Sequence, residues 1–496
     1  MITNTKVLIA AVFLFLSVIA AIYNIIIFPW MLDDSFIFFR YADNLCAGNG
    51  LVYNPGEKVE GYTSFLWILL LAAGNCVGFS PVFFSKFLGA VFSAGCVLLL
   101  LNTHRFIKNT DYTISVTSAL FLGTCGVFMP WAASGMETAM FTFFVLLSCL
   151  FYLSIREGTR ERWMFFLLGN ACALSTMSRP EGAIIFSVIF FDRLYIDIKT
   201  GRRMIFYATL GFLAVYLPYF IWRYLYYGDL FPNSFYVKVN PIGQYIALGL
   251  LYAFKFIRTV FFLLFPIFIL AAFPRKWRTI NKNIKSLTIL LAAYTVYIIA
   301  VGGDCMPSFR FFAPILPVIC VVSAMLLSYF MDKKSMFVFA VSMVCIYNFI
   351  QLPYNDELLK HVKGDGVVCC GKEAGLWLKK NVSPEAVIAT NTAGSVAHYS
   401  RLKIIDMLGL TDRHIAHRKI QPDRMIMLGH DKADGNYVLS KKPDYIMFGA
   451  PPGEEYPRFQ SDYEIYGNPE FNRMYELKTY PLESGNTLII YGRKHN

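Results

Sequence analysis

Two adjacent aspartates, Asp33 and Asp34, open the segment DDSFIFFRYADNL, whose apolar residues recur at helical spacing. A single carboxylate in that place serves as a helix cap, because it accepts backbone N–H bonds and complements the helix dipole. Two side by side repel, which raises the pKa of one and brings a weak base closer to working pH. The pair is therefore read as catalytic, with Asp33 as the reactive carboxylate and Asp34 better placed to cap the helix that follows. A carboxylate pair can also hold a divalent cation, so Asp33 and Asp34 are a candidate cation site, with the metal itself left open. No Cys/His spacing suggests zinc, and neither a P-loop nor a dinucleotide fingerprint occurs.

The cations Arg40, Arg179, Lys238 and Arg310 are of the type that clamps a phosphate. Each has a plainer reading as a surface anchor or as the partner of a nearby acid, Glu181 for Arg179 and Asp304 for Arg310. Glu137 follows Ser-Gly between two apolar runs, where an unpaired carboxylate is costly, and is assigned to a cavity. Asn44, Glu60, Tyr62, Glu181, Asn233, Tyr236 and Asp304 are further cavity candidates, and Tyr53, Tyr226 and Tyr227 are additional aromatic candidates for ring stacking.

The elements that must carry these residues are membrane helices. The chain has 496 residues, of which 56% are hydrophobic and 16% charged, with a mean hydropathy of +0.49, more apolar surface than a soluble core can bury. Runs long enough to cross a bilayer, about 20 residues, recur up to Gln351 and then stop. The chain thus divides into a helical membrane domain, 1–352, whose first outer loop, 31–80, bears the acid pair, and a soluble C-terminal domain, 353–496. Apolar runs at 386–390, 403–408, 444–449 and 487–492, separated by helix-like or polar stretches, give that domain an α/β character. His398, Asp406, Asp412, Arg413 and His414 are its candidates for acceptor binding, against a solvated surface.

Eleven spans are expected, at 7–30, 81–102, 112–131, 138–155, 163–178, 181–197, 204–226, 256–274, 286–301, 311–330 and 335–352. The first is read as a retained span, since it is long and lacks a small-residue cleavage site. The shorter run 64–79 is read as an interfacial or re-entrant helix. The tail is nearly neutral, with 19 Lys/Arg against 18 Asp/Glu, so the formal charge of +12 belongs to the membrane domain, with 26 against 15. That excess clusters in alternate short loops, such as Arg156, Arg160 and Arg162, which marks them as cytoplasmic and points to membrane lipid, not nucleic acid. The N-terminus then lies inside, and the acid pair, the polar turns and the tail lie outside. There, neither ATP nor a nucleotide sugar is supplied, so an activated group must arrive on a lipid such as a polyprenyl phosphate.

Taken together, DDSFIFFRYADNLCAGNGLVYNPGEKVEGYTSFLW, SGMETAMF, SRPEG, GDLFPNSFYVK, GGDCMPSFRFFAPILP and IIDMLGLTDRHIA resemble the GT-C glycosyltransferases of the actinobacterial terminal arabinofuranosyltransferase type, over residues 31 to about 420. The resemblance implies an α-helical polytopic GT-C fold with about 11 transmembrane helices and a C-terminal extracytoplasmic α/β domain. It also implies a bacterial inner-membrane location, a polyprenyl-phosphate sugar donor with arabinofuranose as the leading sugar, and an acceptor that is a glycan, a lipid-linked saccharide or a protein. In such an enzyme one aspartate of the pair, carried over to Asp33 or Asp34, deprotonates the acceptor or stabilises the transition state. Two alternatives are weighed against it. A lipid-linked sugar flippase would line both membrane faces, and a scaffold with a binding tail would leave the acid pair unexplained.

Overall fold

The computed structural model describes residues 11, 15, 30–108, 110–157, 161–238, 242–351, 366–419 and 429–494. The expected span 7–30 lies almost wholly outside the described residues. The chain forms two compact units: residues 1–28, 86–221 and 242–362 in the first, and 29–85, 222–241 and 363–496 in the second. A single cut at 352/353 therefore does not describe the packing, because the acid-pair loop and the segment 222–241 fold in one body with the tail.

The first unit is helical. Each of the other ten expected ranges holds helix, and five helices among the described residues are long and apolar enough to cross a membrane: Pro81–Leu101, Thr138–Arg156, Ile205–Tyr227, Lys282–Ala300 and Ala313–Phe330. The expected span 256–274 is broken at Val260; Tyr245–Thr259 and Phe261–Ala272 meet at 106°, and counting the bent pair as one span makes six. The range 112–131 also breaks, into Tyr112–Thr124 and a short 3-10 turn at Met129–Ala132.

Close helix contact explains several glycines in this unit. A Cβ on Gly169 would lie 2.0 Å from the carbonyl oxygen of Ala208, and one on Gly211 would lie 2.1 Å from that of Phe166. The helices Arg162–Ser178 and Ile205–Tyr227 thus approach backbone to backbone through a reciprocal pair of glycines, the device that small residues provide between membrane helices. Gly249 does the same against the Ile299 carbonyl, at 2.2 Å.

In the second unit the tail carries a five-stranded mixed sheet. Its strands are β1 (Val387–Thr390), β2 (Lys403–Asp406), β3 (Tyr445–Met447), β4 (Tyr475–Pro481) and β5 (Thr487–Arg493), in the order β2-β1-β3-β5-β4. β1 pairs in parallel with β2 and β3, and β5 is antiparallel to β3 and β4. Ala389, Ile446, Phe448 and Phe471 lie in its core. The four apolar runs became β1, β2, β3 and β5. The edge strand β4 escaped notice because most of its residues face solvent, which leaves no apolar run to detect.

The acid-pair loop contributes the helices Asp33–Cys46 and Phe65–Cys76, joined by a Cys46–Cys76 disulfide. The second of these falls within the apolar run 64–79.

The reciprocal glycine contact yields a test. Gly211→Val should force the two helices apart and lower the apparent melting temperature of the detergent-solubilised protein by several degrees, whereas Gly366→Ala, at a position where an added Cβ meets nothing, should cost far less.

Candidate active site

The helix that begins with the acid pair is built differently from the sequence expectation. Leu32 holds the N-cap position, and Asp33 and Asp34 both fall in the first turn, where their charge complements the helix dipole. Both are half-buried. The Asp33 carboxylate accepts three hydrogen bonds from the tail: from the Gly394 N–H at 3.0 Å, the Ser395 N–H at 2.8 Å and the Ser395 hydroxyl at 2.5 Å. The approach is so close that a Cβ on Gly394 would sit 2.0 Å from the Asp33 carbonyl oxygen. Asp33 thus holds the loop ahead of the helix Ser395–Ser400. Asp33, expected from the sequence to be the reactive carboxylate, thus meets the tail loop directly.

That donor set also bears on a cation. Three N–H and O–H groups converge on the Asp33 carboxylate, and among the described residues no group of three His, Cys, Asp or Glu side chains gathers in metal-binding geometry.

Arg40 is not placed as a phosphate clamp. Its buried guanidinium donates to the carbonyls of Tyr53 (2.8 Å), Ala397 (2.6 Å) and Leu402 (2.7 Å) and to Asn54 Oδ1 (3.0 Å), and it lies over the Tyr53 ring. Four of its five N–H donors are used in this way. Burying a guanidinium is costly, and the acceptor set offsets that cost. Asn54 returns the contact, donating to the Ile404 carbonyl and accepting from the Ile404 N–H, while the Tyr53 hydroxyl donates to the Ala393 carbonyl.

Other cavity candidates hold the same fabric. Asn44 donates to the carbonyls of Val52 and Tyr53 at 2.9 Å each. Glu60 pairs with buried Arg223 at 2.7 Å. Asn233 bridges the carbonyls of Gly409, Leu410 and Asp412. The hydroxyls of Tyr62 and Tyr227 lie 3.0 Å apart, and Tyr236 stacks on His417 at 4.0 Å. Lys238, by contrast, is exposed at the end of its short helix, Asn233–Lys238. Sequence reasoning missed Arg223, Gly394 and Ser395. Arg223 was detectable, since a guanidinium inside the run 204–226 needs an acid partner; nothing in the sequence pointed to the two loop residues.

In the first unit the structure gathers five candidates into one buried cluster. Arg179 donates to Glu137 at 2.7 Å and to both oxygens of Glu181, at 2.8 and 3.3 Å. Arg310 makes a two-pronged contact with Asp304 at 2.6 and 3.0 Å. One ring joins the two pairs, for Phe311 lies 5.3 Å from the Arg179 guanidinium and 5.6 Å from that of Arg310. Glu137 occupies the N-cap position of Thr138–Arg156, yet its side chain makes no capping bond and turns to Arg179, while its second oxygen, Oε2, is buried with no hydrogen-bond partner among the described residues. Beside the cluster, Ser308 and Phe309 adopt left-handed backbone conformations, φ 55° and 50°, and the Trp131 indole N–H binds the Ser308 carbonyl. Strain of this kind persists only where surrounding contacts enforce it.

The tail candidates separate by role. His398 sits 3.1 Å from Asp43, which Arg401 also pairs. Asp406 is buried and accepts from the Leu408 N–H, the Thr411 N–H and the Thr411 hydroxyl. Burial pushes its carboxyl up to about 6 in spite of these donors. Asp412, Arg413 and His414 lie together on the loop and short helix after β2.

An apolar helical body with buried paired charges, together with a mixed-sheet tail, is a fold that this chain shares with solved structures. The crystal structure of ArnT from Cupriavidus metallidurans bound to undecaprenyl phosphate matches 99% of this chain and 98% of its own, with a TM-score of 0.61 at 11% identity. The Archaeoglobus fulgidus oligosaccharyltransferase AglB, in complex with an inhibitory peptide and a dolichol-phosphate, matches 99% of this chain and 74% of its own, with a TM-score of 0.58 at 12% identity. In sequence, the chain is similar to the terminal beta-(1->2)-arabinofuranosyltransferase of Mycobacterium tuberculosis, 31% identical over 241 residues, and to that of Corynebacterium glutamicum, 26% identical over 347. These matches cover 46% and 59% of this chain but only 38% and 48% of the relatives. Residues 360–491 match a family model described as a domain of unknown function, DUF8728.

The raised carboxyl of Asp406 gives a signed prediction. Its folded pKa, about 6, exceeds the ordinary aspartate value of 3.8, so the folded state gains stability as pH falls from above 6 towards 4 and loses it as pH rises through 6. The apparent melting temperature of the full chain, followed from pH 7 to 4.5, should therefore be less favourable on the acid side in Asp406→Asn than in wild type; parallel curves would show that Asp406 titrates normally.

Proposed function

We propose that this chain is a membrane glycosyltransferase that moves a sugar, arabinofuranose in the first instance, from a polyprenyl phosphate to a glycan, lipid-linked saccharide or protein acceptor on the non-cytoplasmic side of a bacterial inner membrane. The observation that carries the reading is the 31% identity over 241 residues to a terminal arabinofuranosyltransferase. The shared fold agrees with it: the ArnT structure holds undecaprenyl phosphate and the AglB structure a dolichol-phosphate. The basic alternate loops support the orientation, with the acid pair and the tail outside.

In this reading Asp34 is the working carboxylate, because Asp33 is engaged with Gly394 and Ser395. Asp34 takes the proton of the acceptor hydroxyl, whose oxygen forms the new bond to the anomeric carbon. The bond from that carbon to the phosphate oxygen breaks, and the polyprenyl phosphate leaves with the electron pair. Positive charge develops on the sugar as this happens, so an anionic neighbour stabilises the transition state, by analogy with glycosidases.

Transfer from synthetic polyprenyl-phosphate arabinofuranose to an arabinan-type acceptor, read by mass spectrometry with purified full-length protein, tests this. Asp34→Asn should lose ~10²–10⁴-fold in rate while still binding the donor lipid. Asp33→Asn, which sets an amide N–H₂ against backbone donors, should mainly lower thermal stability. Full activity in Asp34→Asn would sink the assignment, and a wild type that binds the lipid but transfers to no acceptor would favour a carrier.

A further inference from the structure

The second unit contains a cavity of about 470 Å³ that the transfer chemistry does not use. Its volume falls within the ~300–1,000 Å³ typical of small-molecule sites. Residues of the acid-pair loop, Glu57 and Val59, line it together with β2 and with the stretch 411–414. Val59, Val387 and Ile405 provide an apolar floor, the kind of surface that takes the C–H face of a sugar ring.

The rim is charged and its charges are unevenly neutralised. Asp412 is internally satisfied, one oxygen accepting from the Ile415 N–H and the other from the Tyr437 hydroxyl at 3.0 Å. Glu57 is paired with Lys403 at 2.6 Å. Arg413 contacts Asp229 at 2.8 Å but remains half exposed. Lys441 makes no ion pair with a carboxylate among the described residues; its ammonium lies 5.0 Å from the centre of the Tyr437 ring, on which His414 also stacks at 4.1 Å. The cavity edge thus carries the cations Arg413 and Lys441, beside His414, which pairs with Asp434 at 2.9 Å, in a tail that is nearly neutral as a whole. Its shape is also held from outside the sheet, since Asn233 binds three carbonyls of the 409–412 stretch.

We infer that this cavity binds a saccharide bearing a negative charge, a uronate or a sugar phosphate, with its ring on the apolar floor and its anion on Lys441 and Arg413. That the saccharide belongs to the acceptor rests on the transferase reading; the binding itself does not.

The test is equilibrium binding of trigalacturonate and of neutral galactotriose to the full-length protein in detergent, with no donor present, so that its outcome is independent of any transfer assay. The acidic trisaccharide should bind at least about tenfold more tightly than the neutral one, and Lys441→Glu and Arg413→Gln, both at exposed or half-exposed positions, should each weaken it about tenfold without changing the melting temperature. Equal binding of the two sugars, no binding of the acidic one, or binding that both variants leave unchanged would overturn the inference.

Discussion

A guanidinium removed from water must find acceptors, and Arg40 meets that demand with three carbonyls and an amide oxygen drawn from its own loop and from the tail. Much of the second unit's arrangement follows from it. With Arg40 anchored on Ala397 and Leu402, Tyr53 reaches Ala393, Asn54 pairs both ways with Ile404, and Asp33 meets the N–H groups of Gly394 and Ser395. The loop that carries the acid pair is thereby fastened to β2 and to the segment before it. A working carboxylate benefits, because catalysis by a positioned base depends on geometry held in advance of the reaction.

The first unit solves the same problem with ion pairs. Five ionisable side chains lie in an apolar helical body, and the partners are close enough to offset desolvation. Phe311, placed between two guanidiniums, spaces the pairs and lends its ring face to both cations. The left-handed backbone at Ser308 and Phe309 shows that the turn leading to Arg310 is held against its own preference.

Much of the helical body was legible from hydropathy, since a bilayer demands long apolar runs and little else produces them. Partners for Arg179 and Arg310 were legible too: Glu181 and Asp304 are near in sequence, and a charge beside hydrocarbon requires one. The break at Val260 was not, because the residues on either side are equally apolar and a hydropathy profile has no term for direction. Nor were the duties of Arg40, Asn44, Glu60 and Asn233, whose partners are mostly backbone carbonyls or, for Glu60, an arginine 163 positions away. A polar residue that serves backbone carbonyls and one that serves a ligand look alike in a sequence.

Residue type and order alone settled that this is a membrane protein, that its charged residues had to be paired or functional, and that an acid pair stands at the head of a helix, since each follows from local composition and transfer free energy. Which groups the Asp33 carboxylate accepts from was decided only by the tertiary structure. So were the domain membership of residues 29–85 and the cationic edge of the tail cavity. These depend on contacts between segments as far apart as 360 positions, such as Asp33 with Gly394 and Ser395, and direction and distance across such separations are properties of the folded chain.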